Sequence, residues 1–211
     1  MCRLTTIFLS ILLTACFITR LAMAQSPQNQ VDTSPSSKAS GWTAGAYAFS
    51  DQLGGFKIRK ISGKGTRKNP IIIHQDMVSV APTTLVIRAT RAINPWALKG
   101  NHANGFVHIH LVTNNRTGAA WVAYKVELRE DPERPSDYGD GLSFDQRSYE
   151  SDAVRSNRFS DARLDFEPYD RIVFEQGFVN PAETVSMEFL VTDFTPTTIF
   201  YIVQQPRIPA S

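Results

Sequence analysis

Apolar and polar residues take turns along most of this chain. Leu85, Ile87 and Ala89 alternate with Val86, Arg88 and Thr90. Val107, Ile109 and Leu111 alternate with His108, His110 and Val112. Val122, Tyr124, Val126 and Leu128 alternate with Trp121, Ala123, Lys125 and Glu127, and Val185, Met187, Phe189 and Val191 with Ser186, Glu188 and Leu190. A period of two puts one face of an extended segment in a core and the other toward water. Residues 71–73, 172–174 and 199–203 are shorter β-branched or aromatic runs, and 56–61 is a weaker one.

Turn residues separate these segments. Leu53-Gly54-Gly55, Ser62-Gly63-Lys64-Gly65 and Asn180-Pro181 supply positive φ or interrupt pairing. Asn114-Asn115-Arg116-Thr117-Gly118 lies between two strongly alternating segments and predicts a hairpin. Only residues 151–163 suggest a short helix. Within the polar stretch 131–170, residues 142–144 and 163–166 are expected to be strands, because forty structureless residues are improbable in a compact domain. The pattern predicts an all-β, antiparallel β-sandwich of about eight or nine strands, immunoglobulin-like in its layering. A partly closed β-barrel is the runner-up.

Composition supports a folded domain. The chain has 211 residues, 42% hydrophobic and 20% charged. The domain is expected over 42–206, with a tail at 207–211. Residues 25–41, rich in Ser, Gln and Pro, read as a flexible linker. Residues 1–24 read as a signal peptide: Arg3, an apolar run from Leu4 to Thr19, and the small-x-small site Ala22-Met23-Ala24 before Gln25. Leu13-Thr14-Ala15-Cys16 also fits a lipoprotein signal, in which Cys16 would be lipidated and become the mature N-terminus. The apolar run is short of the roughly 20 residues a spanning helix needs, so no transmembrane domain is expected after processing. Either cut predicts an extracytoplasmic protein, periplasmic or secreted, or anchored to the membrane through Cys16. Cys2 and Cys16 are the only cysteines, so the domain has no disulfide and relies on core burial.

The net charge of +2 offers no field for nucleic acid. Charge is uneven, however. Residues 42–100 carry nine basic and two acidic side chains, whereas 126–195 carry seven arginines and seventeen acids. Pairing within one molecule is the simpler consequence. Contact between molecules is the other.

Asn115-Arg-Thr117-Gly-Ala-Ala-Trp121-Val-Ala-Tyr124-Lys-Val-Glu127-Leu128 fits a pattern NxTGxxWxxYxxEL, and Asp140-Gly-Leu-Ser-Phe144-Asp145 fits DGLxFD. With Phe174-Glu-Gln-Gly177 and Phe200-Tyr-Ile-Val-Gln-Gln-Pro206, these resemble exported bacterial β-sandwich domains, some of which carry C-terminal sorting tails. The resemblance implies an extracytoplasmic sandwich and no particular catalytic residues. Here Arg-Ile-Pro-Ala-Ser follows Pro206 where such a tail would stand.

Candidate chemistry is sparse. His108 and His110 share one strand face and could hold a transition metal, with His102 or His74 as a third ligand. Asp131, Asp137, Asp140 and Asp145 could supply oxygens to calcium, the one cofactor suggested, or form a solvated loop paired with Arg129, Arg134 and Arg147. No nucleophile elbow, zincin motif, Walker loop or dinucleotide fingerprint is present, which argues against an enzyme. Carboxylate pairs such as Glu127 with Glu130, or Asp165 with Glu167, are what chance gives among 20 acids. Trp96, in a loop, and Trp121, on the polar side of its strand, could be platforms for a sugar ring or a protein partner. Trp121 could equally fill the interior. These features predict a non-enzymatic binding or structural module of the periplasm or cell surface, with envelope polysaccharide or another surface protein as partner. A metal-dependent or carbohydrate-active protein is the alternative.

Overall fold

The computed structural model describes residues 41–97, 102–137, 139–144, 154–165 and 169–210. Residues 1–24, read above as a signal peptide and including Cys16, residues 25–40 of the expected linker, and Asp145 lie outside them. Thirteen strands are present among the described residues, and no helix. They are β1 (Trp42–Ala44), β2 (Tyr47–Ser50), β3 (Phe56–Ser62), β4 (Ile71–Met77), β5 (Thr83–Ala89), β6 (Phe106–Asn115), β7 (Ala123–Arg129), β8 (Leu142–Phe144), β9 (Arg155–Ser156), β10 (Phe159–Asp165), β11 (Arg171–Gly177), β12 (Thr184–Asp193) and β13 (Ile199–Arg207). The short helix expected over 151–163 is corrected: its described part holds β9 and the start of β10.

The strands form two sheets with no closed barrel. One runs β1-β2-β5-β13-β7-β11-β10. The other runs β3-β4-β6-β12-β8, and β9 shares with β8 the outer edge of β12. The β-sandwich is therefore correct, with more strands than the eight or nine expected. Period-two patterning holds along β6: Val107, Ile109 and Leu111 are buried, while His108 and His110 lie half-buried on the opposite face. In β12, Val185, Met187, Phe189 and Val191 face inward. Phe189 meets Phe144 of β8 edge to face at 5.5 Å, an arrangement that suits the ring quadrupoles.

The hairpin expected at 114–118 is also corrected. β6 and β7 belong to different sheets, so this segment crosses from one layer to the other. Most connections here do the same. The chain leaves the second sheet after β4, runs β5 in the first, and returns as β6. Two reversals leave β6 parallel to β4, the one parallel pairing among strands otherwise antiparallel. Alternation tells which side chains face inward and says nothing about which sheet a strand joins.

A polar bridge crosses the core. Gln75 of β4 donates through Nε2 to Thr113 Oγ1 at 3.0 Å and to Gln204 Oε1 of β13 at 2.6 Å. The hydroxyl of Tyr124, on β7, donates to the same Gln204 oxygen at 2.9 Å. All four residues are buried, so each polar group must find its partner inside the protein.

Candidate functional site

Strand direction gathers five loops at one end of the sandwich, their described residues being 63–70, 90–97 with 102–105, 130–137 with 139–141, 169–170 and 194–198. Hydrogen bonds fasten several of them together. Asp193 N donates to Gly105 O at 2.7 Å, Phe194 N to Gly141 O at 3.1 Å, and Asp170 N to Ser136 O at 3.2 Å. Thr195 Oγ1 donates to Asp140 O at 2.7 Å. Gly105 and Gly141 have positive φ, and a Cβ at Gly105 would lie 2.0 Å from the Asp193 carbonyl oxygen. Only glycine permits that approach.

Carboxylates collect beneath these loops. Asp170 and Asp193 are buried; Ser143 Oγ donates to Asp170 Oδ1 at 2.5 Å, and Thr195 N to Asp193 Oδ1 at 2.9 Å. Burial pushes Glu130 up to about 7, helped by the charges of Asp140 and Asp193. Burial likewise raises Asp170 to about 6 against the Ser143 hydrogen bond, with Asp140 and Asp137 adding repulsion. Asp193 rises to about 6 by burial, with backbone hydrogen bonds from Thr195 and Thr197 opposing and Asp140 adding. Asp140 is common to all three. Tyr47, whose hydroxyl accepts from Gly105 N at 3.3 Å, is pushed up to about 12, chiefly by burial. Burial and mutual repulsion therefore favour the protonated forms of Glu130, Asp170 and Asp193.

Of the four aspartates expected to share a metal, Asp140 belongs to this group and Asp137 lies close enough to Asp170 to act on its charge. Asp137 and Asp140 spend oxygens on their own loop, accepting from Gly139 N at 2.9 Å and Leu142 N at 3.0 Å. Asp131 is apart: it accepts from Glu133 N at 2.9 Å and pairs with Arg134 at 3.5 Å in an exposed turn. Asp145 lies outside the described residues. Sequence reasoning set Glu130 aside as a chance pair with Glu127 and missed Asp170 and Asp193. Asp193 carried a signal, because it continues the inward parity of Val185 to Val191.

His108, His110 and His74 do share the outer face of the second sheet, His110 being opposite Ile72 and His74 opposite Val112. Glu188 lies opposite His110, with 3.9 Å between His110 Nδ1 and its carboxylate, but Arg155 takes that carboxylate at 2.6 Å. Among the described residues, no three His, Cys, Asp or Glu side chains are placed to hold a metal ion.

Trp121 is corrected as a surface platform: it is 0% exposed, filling the core beside Tyr124 at 5.6 Å. Alternation breaks at Val122, which is exposed, so Trp121 and Tyr124 both turn inward. The NxTGxxW residues build the sheet crossover. Asn115 Nδ2 donates to Ala119 O and Val179 O, its Oδ1 accepts from Thr117 N and Oγ1, and Trp121 Nε1 donates to Thr117 Oγ1 at 2.9 Å. Glu127, two residues beyond Lys125 and two before Arg129, is paired with both, at 3.2 and 2.8 Å. Trp96 is 91% exposed in the loop end. Phe194 and Tyr169, each 39% exposed, lie at the same end.

The ion pairs join near segments: Lys57 with Asp51 and Arg59 with Asp76 in the basic part, Arg155 with Glu188 and Arg171 with Asp165 in the acidic part. Among the described residues, no helix is long and apolar enough to cross a membrane. Comparison with family models and with curated proteins found no match to this chain.

Proposed function

We propose that this chain is an exported, non-enzymatic β-sandwich module that binds envelope polysaccharide through its loop end. One observation carries the reading: Trp96, Phe194 and Tyr169 are exposed on three separate loops at the end that also holds Asp140, Asp170, Asp193 and Glu130. Flat aromatic faces suit the apolar faces of sugar rings, and carboxylates accept hydrogen bonds from ring hydroxyls. The sandwich supplies the rigid base and the loops supply the contacts.

The test is affinity electrophoresis of the exported product against envelope polysaccharide. Trp96→Ala should abolish retardation while the melting temperature stays put; Phe194→Ala should abolish it with some loss of stability, because that ring also packs edge to face on Phe106 at 5.9 Å. Retardation unchanged in both variants would remove the reading. The N-terminal mass of the same product reports on export: Gln25 or a lipidated Cys16 supports it, and an intact Met1 in the cytosol overturns it.

A second reading, calcium binding, draws on Glu130 Oε1, which is buried without a hydrogen-bond partner beside Asp140 and Asp193. It requires the loops to bring their oxygens closer together than they are. A melting temperature indifferent to calcium and to EDTA would end it.

A further inference from the structure

The loop end is divided by charge. Between Gln52 and Gln75 the chain carries Lys57, Arg59, Lys60, Lys64, Arg67 and Lys68 and no acid, and from Met77 to Val126 it carries no acid either. The acids of this end therefore come from the β7–β8 and β10–β11 connections and from Asp193, and Asp170 and Asp193 among them are buried. The β3–β4 and β5–β6 loops bring basic side chains and no acid.

The β3–β4 loop is built to present those basic side chains. Lys64 N and Thr66 N both donate to Asn69 O at 3.1 Å, and Asn69 N donates back to Thr66 O at 3.0 Å, which puts Arg67 and Lys68 at the tip of a tight turn. A Cβ at Gly63 would run into the Pro70 carbonyl oxygen, so the loop closes only on glycine. His108 N donates to Gly65 O at 3.0 Å and fixes the loop on β6. Lys60, Lys64, Arg67 and Lys68 are all exposed. Earlier in β3, Lys57 pairs with Asp51 and Arg59 with Asp76, whereas Lys60, Lys64 and Lys68 have no acidic partner among the described residues. The loop neighbours the one that carries Trp96: Gly45 closes on the Lys64 carbonyl, and Thr90 N, where the β5–β6 loop starts, donates to Ala46 O at 2.9 Å.

Holding like charges side by side costs free energy that a counter-charge recovers. Three unpaired lysines spread along residues 60–68, all open to solvent, suit repeated charges on a polymer better than one small anion. We infer that this loop takes the charged groups of an anionic polysaccharide, so that the polymer bound at the loop end carries repeated carboxylates or phosphates. The inference rests on the polysaccharide reading above and names the class of polymer.

Calorimetric titration of the full chain tests it, with polygalacturonate, the same polymer methyl-esterified, and poly(glycerol phosphate) as probes. The chain should bind one or both charged polymers, the tighter naming the charged group, and should not bind the uncharged ester. Lys60→Gln, Lys64→Gln and Lys68→Gln combined should weaken binding about tenfold or more, the worth of three exposed ion pairs. Salt at about 1 M should do the same to the parent, because it screens charges within a few ångströms. Lys57→Gln should bind as the parent does. Binding that survives esterification or the triple change overturns the inference. A loss from Lys57→Gln as large as that from Lys64→Gln alone also overturns it, because net charge would then be the cause. Tighter binding of single-stranded DNA through the same lysines, or a dimer formed without polymer that the triple change dissociates, overturns it too and names the other occupant. Trp96→Ala separates this inference from the reading it rests on. Binding lost with the lysines and kept in Trp96→Ala leaves the inference standing and removes the aromatic site; binding lost in Trp96→Ala and kept without the lysines does the reverse.

Discussion

Gln75 of one sheet and Gln204 of the other meet in the middle of the core, 2.6 Å from amide nitrogen to amide oxygen. No water competes for them, because both are buried. Gln204→Leu would take from the Tyr124 hydroxyl its Gln204 acceptor, leaving it to compete for Thr113 and Gln75, and would leave Gln75 without its partner on the other sheet. The expected loss is about 2–4 kcal/mol, since an unpaired buried polar group keeps its desolvation cost. Urea denaturation measures it. Replacing both glutamines by leucine should cost less than the sum of the single changes, because the two losses share one interaction. Additive losses would mean that the bridge does not couple the sheets.

The crossover at Asn115 makes a second prediction. Its side chain donates to Ala119 O in its own loop and to Val179 O between β11 and β12, accepts twice from Thr117, and Thr117 passes the connection on to Trp121. Asn115→Ala should destabilise by about 3 kcal/mol, and Thr117→Val, which orphans the indole N–H, by about 1–2 kcal/mol. A denaturation midpoint for Asn115→Ala close to that of the parent would show the loop to be held by backbone alone.

These two features mark how far the sequence could be read. Inward parity was visible in Val107, Ile109 and Leu111 and in Val185 to Val191, because burial on one face imposes a period of two. Sheet membership was hidden: β6 and β7 flank a turn-rich segment just as a hairpin would, and only packing sends them to different layers. At the loop end, Trp96 was legible because a tryptophan between strands has nowhere obvious to bury. That Glu130, Asp170 and Asp193 come together was not, because they lie at three different strand ends and meet only once the sandwich closes.

The two tryptophans should behave oppositely. Trp96→Ala removes a side chain that is 91% exposed, so stability should stay within about 0.5 kcal/mol of the parent. Trp121→Ala empties a fully buried site against Tyr124 and should cost about 3–5 kcal/mol. Thermal denaturation separates the two. A large loss from Trp96→Ala would show its loop to be part of the fold's support, and the sugar-binding test would then need another aromatic.

The carboxylates of the loop end give the last prediction. Glu130 sits at about 7, and Asp170 and Asp193 at about 6, all above their values in an unfolded chain. A carboxyl whose folded value is raised binds its proton more tightly when folded, so folding takes up protons between the unfolded and folded values. Stability should therefore rise as pH falls from about 8 through 6–7 and level off near 4–5, the ordinary carboxylate range. This is opposite to the dependence of a salt-bridged carboxylate. The three groups are coupled through Asp140 and partly screened by solvent, so the combined effect should be about 2–3 kcal/mol rather than the sum of three separate shifts. Asp140→Asn keeps an oxygen for Leu142 N while removing the charge that all three feel. It should raise stability at pH 8 by about 1 kcal/mol and flatten the slope between pH 8 and 5. Melting curves across that range are the measurement. A stability that climbs with pH would mean that these carboxylates are solvated, and a slope that survives Asp140→Asn unchanged would mean that burial alone raises them.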